Sequence, residues 1–242
     1  MRPRFIAFDV DGVLVTFKSS WEMVHRAFGS KGSVEDMKAY FKGEISYGEW
    51  CRRDKERWTK ALGREPTLED IEKVFEDIEK YLSPGAREAV SLSKRRGLGV
   101  GLVSAGLAPS TKRVAEALGI HLWIANPICE DCEPAVEPKN KLKGLIRLLR
   151  RLDVDVKESI FVGDSLIDLP ALLASGCGIG VRDEQLKKYV DYWIEDLRFF
   201  PQALLYCLHN FRPAEPYPYD EEYQYGKCEG DHFPWVRFLD LD

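Results

Sequence analysis

The stretch FIAFDVDGVLV, residues 5–15, decides the reading of this 242-residue chain. Residues 4–10 are almost wholly apolar, as a central strand of a parallel sheet must be when helices cover both its faces. Yet two carboxylates, Asp9 and Asp11, interrupt the apolar run at its carboxyl end. Unpaired buried charge is costly, so acids at such a place need a reason. In open parallel sheets, ligands gather at the carboxyl ends of the strands. Strand alternation puts both side chains on one side. Two carboxylates held close together repel until a proton or a metal ion relieves them.

Downstream, residues 19 to about 82 read as almost pure helix. Ser33 with Asp36, Ser46 with Glu49, and Thr67 with Asp70 each read as a helix start with a reciprocal cap. After Thr67 an amphipathic segment places Leu68, Ile71, Val74, Phe75, Ile78 and Leu82 on one face. SPGA at 83–86 marks a return, after which strands and helices alternate. Strands are expected at 99–105, 121–125, 159–164, 177–181 and 190–194. Helices are expected at 85–96, from Pro109, at 139–152, 166–174 and 198–209. The pattern predicts an α/β fold, a doubly wound Rossmann-like parallel sheet with an inserted helical cap. The expected division is a core of 1–14 and 84–210, a cap of 15–83 and a tail of 211–242. The tail is rich in Pro, Tyr and acids, and its aromatics argue for packing on the core or on a partner.

Other strand ends carry matching chemistry. Asp164 and Asp168 stand in VGDSLIDLP, Ser104 in LVSAGL, and Lys139, Lys141 and Lys143 precede a helix. Acids suit a hard cation such as Mg²⁺, which prefers oxygen ligands. A hydroxyl and a lysine suit phosphoryl oxygens. Ser165 with Asp168 also fits a helix cap, and both roles can coexist.

Composition narrows the classes. A 45% hydrophobic content supports a sizeable core, and a net charge of −5 argues against nucleic acid and anionic membranes as partners. No run is long enough to span a bilayer, and the short N-terminal segment with its two acids does not read as a signal peptide. A cytoplasmic protein is expected. Six cysteines in a chain this long do not read as a disulfide framework. Cys129 and Cys132 with Cys228 and His232 have the spacings of a tetrahedral zinc site that would pin the tail to the core.

The order DVDGV, LVSAG, a lysine and GDSLID, across 9–168, resembles the haloacid dehalogenase superfamily of phosphotransferases. GEISYGEWCRR, IANPI and KGLIRLL are similar to its phosphoserine phosphatases, and the insert resembles their helical cap. The resemblance implies a phosphatase acting on a small phosphate ester through an aspartyl-phosphate on Asp9. It makes Asp11 the general acid and then the base. It gives Mg²⁺ to the Asp9 carboxylate, the Asp11 carbonyl and Asp164, with Asp168 close by or bound through water. It gives the phosphoryl oxygens to Ser104, Lys143 and backbone N–H groups near Gly12 and Ala105. Lys143 matches the family's Lys-Gly, with Lys139 and Lys141 left open. Arg52 falls where such enzymes hold a substrate carboxylate. Val13 and the residues near Lys18 depart from the phosphoserine pattern, which puts phosphoserine itself in question. The rivals are a phosphomutase of the same superfamily and a non-catalytic scaffold.

Overall fold

The computed structural model describes residues 2–211. Its frame is a six-stranded, wholly parallel sheet in the order β3-β2-β1-β4-β5-β6. The strands are β1 (Phe5–Phe8), β2 (Gly99–Leu107), β3 (Leu122–Asn126), β4 (Ser159–Gly163), β5 (Cys177–Val181) and β6 (Tyr192–Ile194). β1 is central, and its Phe5, Ile6, Ala7 and Phe8 are at most 1% exposed. Ile6 and Phe8 enter one hydrophobic core and Phe5 and Ala7 the other, so helices cover both faces of the sheet. The strand order reverses beside β1, so a crevice opens at its carboxyl end.

The helices flanking the sheet are α5 (Ala86–Arg95), α6 (Ala108–Leu118), α7 (Lys141–Arg150), α8 (Leu169–Ala174) and α9 (Phe200–His209). Between β1 and α5 the chain forms α1 (Ser20–Ala27), α2 (Val34–Lys42), α3 (Tyr47–Leu62) and α4 (Leu68–Val74). A bridge between Val15 and Leu82 ties the base of this insert. Thr16 N donates to the Tyr81 carbonyl and Ser83 N to that of Leu14, both at 2.8 Å.

Cap chemistry is less uniform than the sequence suggests. Of the three pairs expected in the insert, Thr67 and Asp70 alone form a reciprocal box. Ser33 and Ser46 accept from the N–H three residues on, but Asp36 turns to Arg53 and Arg57, and Glu49 to Arg52 and Arg53. The amphipathic run after Thr67 is likewise broken: α4 stops at Val74, and a short 3₁₀ turn covers Ile78–Tyr81. Ile71, Phe75 and Ile78 are buried, whereas Leu68 is exposed.

The expectation of no disulfide framework is overturned. Cys51 on α3 is bonded to Cys132 in the loop after β3, and Cys177 on β5 to Cys207 on α9. Cys129 is disulfide-bonded as well. With Cys129 and Cys132 both oxidised, neither offers a thiolate, so the zinc site has lost half its ligands. Cys228 and His232, like the tail from 212 on, lie outside the described residues. Among the described residues, no helix is long and apolar enough to cross a membrane.

Candidate active site

Asp9 leaves β1 with extended backbone, and a single wide turn follows, closed by Val15 N donating to the Val10 carbonyl. Asp11 and Gly12 sit in that turn with non-helical angles. The turn, rather than strand alternation, therefore brings Asp11 beside Asp9 to line one cavity. Gly12 has φ +78°, and a Cβ there would overlap the Asp164 carboxylate. Only glycine lets the β4 acid come this close to the β1 turn. The Gly12 N–H, expected to reach phosphoryl oxygens, instead donates to the Phe17 carbonyl at 2.8 Å.

The acids meet at the cavity floor. Oxygens of Asp9, Asp164 and Asp168 lie within 4.8 Å of one another, all three residues being buried. Lys141, the first residue of α7, is 2.7 Å from Asp9 Oδ2 and 2.6 Å from Asp168 Oδ1. The lysine that meets these acids and lines the cavity is Lys141, whereas Lys143, the one expected at the site, is exposed and does not line the cavity. Asp168 Oδ2 accepts from the N–H groups of Asp164 and Ser165. The helix-cap reading of Asp168 therefore holds while its other oxygen orients Lys141. A further lysine that the motifs do not mark, Lys18, reaches Asp164 Oδ2 at 2.6 Å.

These contacts set the protonation states. Burial drives the Asp9 pKa well above its ordinary value, Lys141 opposes this, and Asp168 and Asp164 add to it. Burial also raises Asp11, against hydrogen bonds from Ser20 N (2.7 Å) and Ser20 Oγ (2.8 Å). Burial works against the Lys141 charge, but Asp168 and Asp9 outweigh it, so the ammonium is held above its usual range. Asp164 is raised by burial and by Asp168, with Lys18 opposing.

Ser20 is a site residue that no motif revealed. Its Oγ bonds Asp11 and also accepts from Leu107 N at 2.8 Å, so the first residue of α1 ties the acid to β2. Ser104 is fully buried, lines the cavity with Ala105, and accepts from Gly106 N at 3.0 Å. Arg52 does not come to the site. It is exposed on α3, paired with Glu49 at 3.0 Å, and does not line the cavity of about 330 Å³.

A divalent cation fits this floor. Asp9 Oδ1 is buried without a hydrogen-bond partner, and its neighbours Asp164 and Asp168 offer only oxygen donors.

The model of the haloacid dehalogenase-like hydrolases matches residues 3–176, which include every acid of this floor. The chain belongs to this family. It is 30% identical over 194 residues to a phosphoserine phosphatase of Albidiferax ferrireducens, covering 73% of this chain and 77% of that one. It is also 30% identical over 189 residues to phosphoserine phosphatase SerB2 of Mycobacterium tuberculosis. That match covers 73% of this chain but 43% of the longer relative. Among solved structures, a phosphoserine phosphatase carrying an analogue of its phospho-aspartyl intermediate aligns with TM-score 0.64 at 23% identity, covering 84% of this chain and 99% of the other. The fold is therefore that of the haloacid dehalogenase-like hydrolases, and the chain is an enzyme of that family.

Proposed function

We propose that this hydrolase cleaves phosphate monoesters of small metabolites with Mg²⁺, through a phosphorylated Asp9. The observation that carries the reading is the pairing of two differently held acids. Asp9 has one oxygen against Lys141 and one with no partner, whereas Asp11 is a raised acid on the other side of the turn.

Each residue then has a task. The Asp9 carboxylate attacks phosphorus while the bond to the ester oxygen breaks, leaving an acyl phosphate on Asp9. Asp11, raised by burial, is the group positioned to protonate the departing oxygen. Asp11 then takes a proton from water, which attacks phosphorus and returns Asp9 and inorganic phosphate. Lys141 and Ser104 hold phosphoryl oxygens, and Asp168 orients Lys141. Ser20 fixes the acid at the cavity edge through its two contacts to Asp11. Asp9, the Asp11 carbonyl and Asp164 would hold Mg²⁺, with Asp168 beside them. The ion would offset the charge of carboxylate meeting phosphate.

The relatives that are phosphoserine phosphatases make phosphoserine one ester to be tested. A cytoplasmic setting goes with such metabolites, and disulfides persist in the cytosol of hyperthermophiles. The test is phosphate release from a panel of monoesters with and without Mg²⁺, with Asp9→Asn alongside. Mg²⁺-dependent release that vanishes in the variant is expected. Release that survives Asp9→Asn in contaminant-free protein refutes the nucleophile. Transfer of the phosphoryl group to a second hydroxyl of the substrate would make the enzyme a mutase.

A further inference from the structure

The floor of the cavity handles a phosphoryl group, but its roof is built for something else. Trp21, Met37, Phe41, Tyr47 and Trp50, from three helices of the insert, line it above the acids. The rings of Trp21, Tyr47 and Trp50 form one cluster: Trp21 and Tyr47 meet edge to face at 6.3 Å, and Tyr47 and Trp50 do so at 6.4 Å. Met37 and Phe41 are 39% and 40% exposed, so apolar surface also faces solvent on α2.

Charge on the roof is already satisfied within the insert. Asp54 is the acid there, and it is held by Arg57 at 2.8 Å with His25 Nε2 at 3.2 Å. None of the three arginines of α3 lines the cavity. Arg52 pairs with Glu49, Arg53 with Asp36 and Glu49, and Arg57 with Asp36 and Asp54. Lys18 lines the cavity at its floor, its ammonium 2.6 Å from Asp164. At the lower edge Asp183 caps the turn at Gln185. Among the described residues no guanidinium lines this roof, so an α-carboxylate entering under it would lose water and meet rings. An aromatic leaving group would instead bury apolar surface against rings set edge to face, a preferred geometry for a further ring.

We infer that the leaving group this enzyme accepts is an apolar aromatic alcohol, so that its substrates are arylalkyl phosphates rather than phosphoamino acids. The inference rests on the phosphomonoester reading above and adds the class of the alcohol to it. Trp50 and Phe41 are the specificity-determining residues it names.

The test compares three alkyl esters of similar intrinsic reactivity, 2-phenylethyl phosphate, n-propyl phosphate and O-phosphoserine, at saturating Mg²⁺. Burial of one phenyl group raises kcat/KM for the first over the second by about 10- to 100-fold. Phosphoserine falls at or below n-propyl phosphate. Trp50→Ala and Phe41→Ser each shrink the phenylethyl-to-propyl ratio, and Trp50→Phe restores most of it. The ratio cancels any general loss of folded enzyme, and the exposed Phe41 can be changed without opening the core. A ratio near one, or a preference for phosphoserine, overturns the inference while Asp9-dependent release leaves the hydrolase reading standing. No release from any of the esters refutes that reading and takes the inference with it.

Discussion

Lys141→Met removes the one ammonium shared by Asp9 and Asp168 and leaves a side chain of similar reach. Both acids are buried, at 2% and 0% exposure, so water cannot take over the lost charge. Breaking a buried ion pair from one side costs about 3–5 kcal/mol. The pH dependence separates that charge term from a packing defect. Burial already raises Asp9 against the pull of Lys141, and without Lys141 it rises further. A carboxylate raised in the folded state stabilises the fold below its unfolded pKa of about 3.9, and that contribution is lost as pH climbs through the folded value. The variant carries this loss to higher pH than the native protein does. Its deficit therefore widens from pH 5 to pH 8, by at most about 4 kcal/mol at 1.36 kcal/mol per pH unit. Guanidinium denaturation at the two pH values measures it, and Mg²⁺ narrows the gap by bringing positive charge back to the acids. A deficit that is the same at both pH values would mean that Lys141 matters only for packing, and the charge argument would fail.

Other perturbations reach different parts of the argument. Cys177→Ser with Cys207→Ser opens a loop spanning 30 residues and costs about 3.7 kcal/mol by chain entropy, measured by the same denaturation. Free thiols in native protein at those positions would refute the bond. Gly12→Ala forces the Asp164 carboxylate aside, so calorimetric Mg²⁺ affinity falls at least tenfold; unchanged affinity would separate Asp164 from the metal. Ser20→Ala removes one hydrogen bond that favours ionised Asp11, which raises the Asp11 pKa. The basic limb of the kcat profile then moves to higher pH, and an unmoved limb would detach Asp11 from the acid role.

The sheet was legible because its strands are short apolar runs bounded by turn residues, and β1 carried the decisive pair of acids at its end. That Asp9, Asp11 and Asp164 line one cavity could be read because each stands just beyond a strand end, while Ser104, also on its wall, lies three residues inside the end of β2. The lysine could not be chosen among three at alternate positions, because spacing does not say where a helix begins. The helix starts at Lys141, and helical side chains lean toward the N-terminus, so Lys141 points back at the acids while Lys143 turns outward. Arg52 followed the motif, but its neighbour Glu49, one turn earlier, captured it. Lys18 and Ser20 act across 146 and 87 residues of sequence, on Asp164 and Leu107. The cysteines failed for the same reason: Cys51 and Cys132 are 81 residues apart, and the local CxxC spacing suggested a metal site instead.

The Cys51–Cys132 bond bears on how this architecture could be inherited or rebuilt. Because the insert enters and leaves the core side by side at Val15 and Leu82, it has the form of a cassette, the kind of segment that can be exchanged between hosts. Its far end, however, is riveted to the segment after β3, where Tyr40 also bonds Glu137 and Lys139 lies over the Tyr40 ring at 4.3 Å. The transferable unit is therefore discontinuous. A graft of 15–83 alone would carry a cysteine without its mate and an aromatic clasp with nothing to grip. Recombination that kept the roof working would have to move 127–139 with it, so these two separated stretches are expected to vary together among relatives.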